Sequence, residues 1–222
     1  MGKDITYHFT PIQKRFLTAL LTDPHIRNTF YLTGGTALSA CYLNHRFSED
    51  IDLFSKLPLD EPRVVRIVSQ YIGPIATKIE YVRIGDRIAY TMAFPKNQHL
   101  KVDIVYYPYE PLESSGKTFL GLSIDSIADI GVNKLMTLSQ RTTGKDYVDL
   151  YYILKRYTMW DLREGVAHKF KMDIEPFYAA SLYTNVDNIE ALPVMKKKLS
   201  LETLKAFFHK QAVLLAAPMI KP

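Results

Sequence analysis

Between Phe30 and Phe54 the chain lays out a strand, a turn, a helix and a second strand that carries two acids. Phe30-Tyr31-Leu32 is a short apolar run, Gly34-Gly35 a break, Thr36 to Leu43 a helix-forming stretch, and Ser48-Glu49-Asp50-Ile51-Asp52-Leu53-Phe54 an apolar run interrupted by carboxylates. Side chains two apart on a strand leave the same face, roughly 6.5 to 7 Å apart along it. Asp50 and Asp52 are therefore expected to grip one cation or a close pair. Such oxygen-only anionic sites suit Mg2+, which is usually held by one or two carboxylates together with substrate phosphates. An isolated Asp-x-Asp reads as one solvated acid and one turn cap, because the pattern is short and frequent. The glycine pair upstream changes that reading. Gly34-Gly35 lets backbone approach a phosphate, whose charge the free N–H groups of a helix start favour, and Thr36 adds a hydroxyl.

A third carboxylate lies in Leu100-Lys101-Val102-Asp103-Ile104-Val105-Tyr106-Tyr107. Asp103 shares a strand face with Lys101 and Val105, while Val102 and Ile104 take the other. Flanked by β-branched residues, it is expected inside the sheet, where an ionised group needs a partner or a metal.

Further on, Asp125 to Arg141 reads as one amphipathic helix with Ile127, Ile130, Leu135 and Leu138 toward a core. Lys134 and Arg141 would then stand about two turns apart on one face, both within reach of a triphosphate. Thr142-Thr143-Gly144 breaks the helix. Lys145 to Tyr157 forms the next, with Asp146 and Asp149 neighbours at i and i+3. An aspartate at a helix start is commonly a dipole partner; set beside Lys134, Asp146 becomes a candidate for orienting a hydroxyl or a nucleotide.

These stretches together, GGTAL, HRFSEDIDLF, KVDIVYY and NKLMTLSQRTTGKDYVDLYYIL, cover most of residues 30 to 155. The sequence resembles the nucleotidyltransferase superfamily and, within it, the AbiEii/AbiGii-type toxins. Lys134, Arg141, Lys145, Asp146, Asp149 and Leu150 fill the places of the toxin family's C-terminal motif in order. Thr36 follows a second glycine where the wider superfamily often has Gly-Ser, and Lys145 stands where the family frequently has Arg. The resemblance implies nucleotidyl transfer from an NTP, with Asp50, Asp52 and Asp103 holding two Mg2+ ions. It implies that Gly34, Gly35 and Thr36 cradle phosphates, and that Lys134, Arg141 and Lys145 offset their charge. Arg46, Ser48 and Asp149 are expected to contact the nucleotide. Alone, Arg46 and Ser48 would pass for an exposed side chain and a strand-edge hydroxyl. The acceptor implied is RNA, a tRNA 3′ end among the possibilities, with a cognate antitoxin protein as partner in a bacterial toxin–antitoxin pair. The alternatives are a non-catalytic nucleotide-binding or antitoxin-like module, or nucleotidylation of a protein or small molecule.

The 222 residues, 47% apolar, suffice for one core or a core plus a small helical lobe. The expected fold is α/β (α+β): a nucleotidyltransferase lobe with a mixed sheet over 1–120, then a helical lobe over 121–222 completing an active cleft. Helices are expected to about Leu21, over 61–71, and near 125–141, 145–157, 159–170, 174–184 and 200–216. Strands are expected over 77–84, 88–94 and 99–107. One cysteine, Cys41, leaves no intrachain disulfide. With no apolar leader near the N-terminus and no run approaching a membrane span, the protein is expected to be cytoplasmic and off the membrane. The net charge of +5 suits a polyanionic partner without specifying one. Lys196-Lys197-Lys198 reads as a solvated turn, with an RNA phosphate contact as its functional counterpart. Tyr151 and Tyr152 sit at core spacing.

Overall fold

Thr10 starts the first helix, α1 (Pro11–Leu20): its side chain accepts from the Gln13 amide, the Gln13 side chain accepts from the Thr10 amide, and Pro11 takes the first helical position. This reciprocal arrangement satisfies two of the N–H groups a helix start leaves over. Asp23-Pro24 opens α2 (Pro24–Thr29), unexpected from sequence because its six residues are too few for a periodic apolar stripe. In this computed structural model residues 7–217 are described; the stretch before Tyr7, where no apolar leader is expected, lies outside them.

Next come β1 (Phe30–Thr33), α3 (Gly34–Leu38), a π turn (Ser39–Leu43), β2 (Ile51–Ser55), α4 (Glu61–Ile72), β3 (Lys78–Ile84), β4 (Arg87–Phe94), β5 (Gln98–Tyr106), β6 (Thr118–Phe119) and β7 (Leu122–Ile124). Among the described residues the strands form one mixed sheet in the order β3-β4-β5-β2-β1-β7-β6. β2 runs parallel to β5 and β1 parallel to β7; the remaining pairs are antiparallel. Alternation is clean in β4, where Ile88, Tyr90, Met92 and Phe94 are buried, and in β5, where Leu100, Val102 and Ile104 are. The face opposite these residues carries Asp103. The hairpin of β6 and β7 was not expected, since two- and three-residue strands give no pattern to read. It turns through Leu120 and Gly121, both at positive φ.

The second unit is helical: α5 (Ile127–Leu138), α6 (Gly144–Ile153), α7 (Met159–Phe170), α8 (Pro176–Thr184), a 3-10 turn (Asn185–Asn188) and α9 (Leu201–Ala216). It takes in Leu43–Phe47, Pro111–Glu113 and the chain from Ser126 onward; the sheet unit takes in the chain up to Tyr42, Ser48–Glu110 and Ser114–Asp125. Ser126 caps α5, accepting from the Asp129 amide, so this helix begins two residues later than the sequence suggested. It also ends earlier, at Leu138, where the Ser139 hydroxyl donates to the Met136 carbonyl at 2.7 Å and competes with the helical ladder. Arg141 thus lies outside the helix. Gly131 lets α6 and α7 pack close on α5, since a Cβ there would meet Ile153 and Leu162 at 3.0 Å. No described helix is long and apolar enough to cross a membrane.

Candidate active site

In the sheet unit, antiparallel β1 and β2 set Thr33 opposite Asp52, and parallel β2 and β5 set Asp52 opposite Asp103. Registered neighbours share a sheet face on strands roughly 4.8 Å apart. Asp50 lies two residues earlier, just before β2 begins. Gly34, the first residue after β1, has φ +71°, and a Cβ built there would stand 2.0 Å from Asp52 Oδ2. Backbone and carboxylate therefore approach more closely than any side chain allows, in a conformation only glycine adopts without cost.

The residues around this turn hold it from inside. Thr36 is buried; its hydroxyl is hydrogen-bonded to Ser48 Oγ at 3.0 Å and donates to the Asp50 carbonyl. The hydroxyls of Thr36 and Ser48, expected at a phosphate, are engaged with each other. Gln13, besides its part in capping α1, donates from Nε2 to the Ser48 carbonyl at 2.7 Å. Asp125, buried at the end of β7, accepts from Thr33 Oγ1 at 2.7 Å. Its position became legible only with the β1–β7 pairing.

Asp103 has a partner not anticipated: Arg87 Nε donates to it at 2.8 Å. The register pairs Ala89 with Asp103, so Arg87 is its diagonal cross-strand neighbour. Among the described residues no group of three His, Cys, Asp or Glu side chains stands ready to hold a metal. The registered pair Asp52 and Asp103 does fit Mg2+, which asks for one or two carboxylates and completes its shell with phosphate and water oxygens.

In the helical unit Lys134, Asp146, Asp149, Arg46 and Arg141 converge. Lys134 Nζ lies 2.7 Å from Asp146 and 2.8 Å from Asp149. Arg46 donates to both oxygens of Asp149, from Nε at 2.6 Å and Nη2 at 2.7 Å, and His45 Nε2 lies 2.8 Å from the same carboxylate. Asp146 accepts from Arg141 Nε at 2.8 Å and from Thr143 Oγ1 at 2.6 Å. Both aspartates are wholly buried, and Lys134, Arg46 and His45 nearly so. Lys134 and Arg141 meet through Asp146, not through a shared helix face. Lys145 is half-buried beside Asp146 in the first turn of α6.

Charge is strongly held here. Burial would raise the Asp146 pKa, but Lys134 and hydrogen bonds from Arg141, Lys134 and Thr143 bring it down to about 2. Burial likewise opposes ionisation of Asp149, and Lys134 and Arg46 overcome it, leaving its pKa well below the usual carboxylate range. Burial pulls Lys134 down, yet Asp149 and Asp146 together keep its pKa above the ordinary value. Burial lowers the His45 pKa, against the opposing pull of the Asp149 carboxylate.

Residues 15–212 match the family described as Nucleotidyl transferase AbiEii toxin, Type IV TA system. The chain belongs to this family. An uncharacterized protein of Aquifex aeolicus is 34% identical over 142 residues, a match that spans 63% of this chain and 64% of that protein. Among solved structures, a candidate nucleotidyltransferase from Helicobacter pylori superposes with a TM-score of 0.62 at 24% identity, covering 94% of this chain and 95% of that one. JHP933 from Helicobacter pylori gives 0.58 at 25% identity, covering 93% and 91%. MenT4, a nucleotidyltransferase toxin from Mycobacterium tuberculosis H37Rv, gives 0.60 at 16% identity, covering 92% and 82%, a likeness of fold. The mixed α/β architecture is that of nucleotidyltransferases.

Proposed function

We propose that the chain is a Mg2+-dependent nucleotidyltransferase that moves a nucleoside monophosphate from an NTP to a hydroxyl of RNA, a tRNA 3′ end being one fitting acceptor. It would act as the toxin of a bacterial toxin–antitoxin pair, with a cognate antitoxin protein to restrain it in the cytoplasm. The observation that carries this reading is the registered pair Asp52 and Asp103 with Gly34 pressed against Asp52. Asp50, Asp52 and Asp103 are the residues to hold the metal. Bound there, Mg2+ would lower the pKa of the attacking hydroxyl and neutralise the departing pyrophosphate, as two-ion sites with ions roughly 3.5 to 4 Å apart do.

The chain's own residues supply placement and charge. Gly34 and Gly35 are assigned to phosphate oxygens, while Thr36 and Ser48 fix the segment that carries Asp50. Lys134 is kept positive by its two aspartates and is assigned to the charge that builds during transfer, together with Arg141, which shares Asp146 with it, and Lys145. Asp146 orients Lys134 and Arg141; Asp149 and Arg46 act through the same network and not by direct contact with the nucleotide.

Incubation with each α-labelled NTP, Mg2+ and total bacterial RNA tests the reading. Label in RNA that disappears with chelator or in Asp103→Asn supports it. Label on protein alone reassigns the acceptor, and no label on any acceptor with bound NTP favours a binding module.

A further inference from the structure

Lysines of the helical unit lie over aromatic rings while remaining exposed, those of the 196–198 run in a bend. Lys155 Nζ sits 4.2 Å from the centroid of the Tyr151 ring and 5.0 Å from that of Tyr152; Lys197 Nζ is 5.7 Å from Tyr152, and Lys196 Nζ 4.6 Å from Phe47. These distances fall within the roughly 6 Å over which a cation is attracted to a ring face. Tyr152 thus receives ammonium groups from two separate chain segments. Like charges drawn to one ring repel, and among the described residues none of Lys155, Lys196 and Lys197 forms an ion pair with a carboxylate. Among the described residues their polar side-chain partner is neutral, Asn44 Oδ1 at 3.0 Å from Lys196 Nζ. A polyanion relieves that repulsion.

The backbone fixes where this charge sits. Lys196 and Lys197 both donate their amides to the His45 carbonyl, at 2.9 and 3.0 Å, and the Phe47 amide donates to the Val194 carbonyl at 2.8 Å. The lysines are therefore strapped to the same short segment, His45-Arg46-Phe47, whose Arg46 clamps Asp149 in the buried network with Lys134. Phe47, next to Arg46 in the chain and under Lys196, is 47% exposed although it is a large apolar side chain. Basic side chains interleaved with an exposed ring suit a single-stranded nucleic acid: phosphates meet the ammonium groups, and a base stacks on the ring in a sequence-tolerant way.

We propose that Lys155, Lys196 and Lys197, laid over Tyr151, Tyr152 and Phe47, form a binding strip for single-stranded RNA, tied by backbone to the segment that carries Arg46. The strip holds the acceptor strand of the reaction proposed above and rests on that reading.

The test pairs Lys196→Ala/Lys197→Ala and Phe47→Ala with Lys196→Arg/Lys197→Arg, using the full chain, a fluorescein-labelled single-stranded RNA oligonucleotide and NTP labelling in parallel. The alanine pair is expected to weaken RNA binding on the order of ten-fold at moderate salt and to flatten the dependence of log K on log salt by about 1.4, because a single strand loses about 0.7 per phosphate contact. Phe47→Ala is expected to weaken binding without changing that slope, and the arginine pair to restore both. NTP binding and thermal unfolding should match the parent in all three, which sets aside misfolding. If the parent labels RNA and the alanine pair binds it with unchanged affinity and salt slope, the strip is refuted while the RNA-acceptor reading stands. If the alanine pair leaves RNA binding intact but lowers labelling of a protein acceptor, the strip belongs to a protein partner and the proposal fails. A parent that neither binds nor labels RNA overturns the functional reading and the strip with it.

Discussion

At the scale of single residues, Gly34 is the position where geometry leaves least freedom. Gly34→Ala would place a methyl group 2.0 Å from Asp52 Oδ2 at a φ of +71°, so either Asp52 or the turn must move. Backbone strain of this kind costs roughly 1 to 2 kcal/mol, whereas displacement of a catalytic carboxylate by an ångström costs on the order of a hundredfold in rate. Label transfer should thus fall far more than the unfolding midpoint does; equal, small losses in both would contradict the role given to the turn. Asp149 answers to stability. Asp149→Ala leaves Lys134 and Arg46 buried without their shared carboxylate, and breaking such a cluster costs roughly 3 to 5 kcal/mol, measurable by urea unfolding. Asp146 adds a pH signature. Its pKa is lowered from 3.8 to about 2 on folding, so the stability it contributes is fully present above about pH 4 and is lost as pH falls through about 2. The stability gap between the parent and Asp146→Asn is expected to stay constant from pH 7 to about 4 and to narrow below that; a gap that widens on acidification would reverse the sign of the linkage.

At the scale of elements, periodicity revealed β1, β2, β4 and β5 because each alternates or is short and wholly apolar, and α1 and α4 were legible as helices. The residues Asp50, Asp52 and Asp103 stood out for the same reason, as acids where an apolar pattern predicts none. What periodicity does not carry is pairing. The β1–β7 contact that buries Asp125, the diagonal Arg87–Asp103 bond and the meeting of Arg141 with Lys134 across a helix break arise from register and chain reversal between distant segments. Extending α5 through Arg141 looked natural from its apolar positions, yet side-chain hydrogen bonding by Ser126 and Ser139 trims both ends. Helix packing offers a test at this scale. A Cβ at Gly165 would stand 2.5 Å from Val132 Cγ2, so Gly165→Ala overpacks the α5–α7 contact and should cost roughly 1 to 3 kcal/mol. Val132→Ala removes the obstructing methyl, and the double variant should recover part of that loss, a coupling of 0.5 kcal/mol or more being typical of touching residues, about the size a double-mutant cycle resolves. Strictly additive costs would mean the two helices do not pack through this pair.

For the molecule as a whole, the sheet unit carries an acidic face and a glycine turn that brings backbone against one of its carboxylates, and the helical unit carries a lysine held charged by two buried aspartates. The family match over residues 15–212 and the fold shared with nucleotidyltransferases place the chain among these enzymes. The central claim is that Asp52 serves transfer and not folding: it sits on the sheet face opposite Leu53, Val102 and Ile104, away from the buried core. The most direct measurement is Mg2+-dependent transfer from labelled NTP to RNA by Asp52→Asn, run beside its thermal unfolding. The account predicts a rate lower by about a thousandfold, the scale of losing one preorganised electrostatic contact, with an unfolding midpoint equal to or slightly above the parent's. Transfer retained at the parental rate by a folded Asp52→Asn would contradict it.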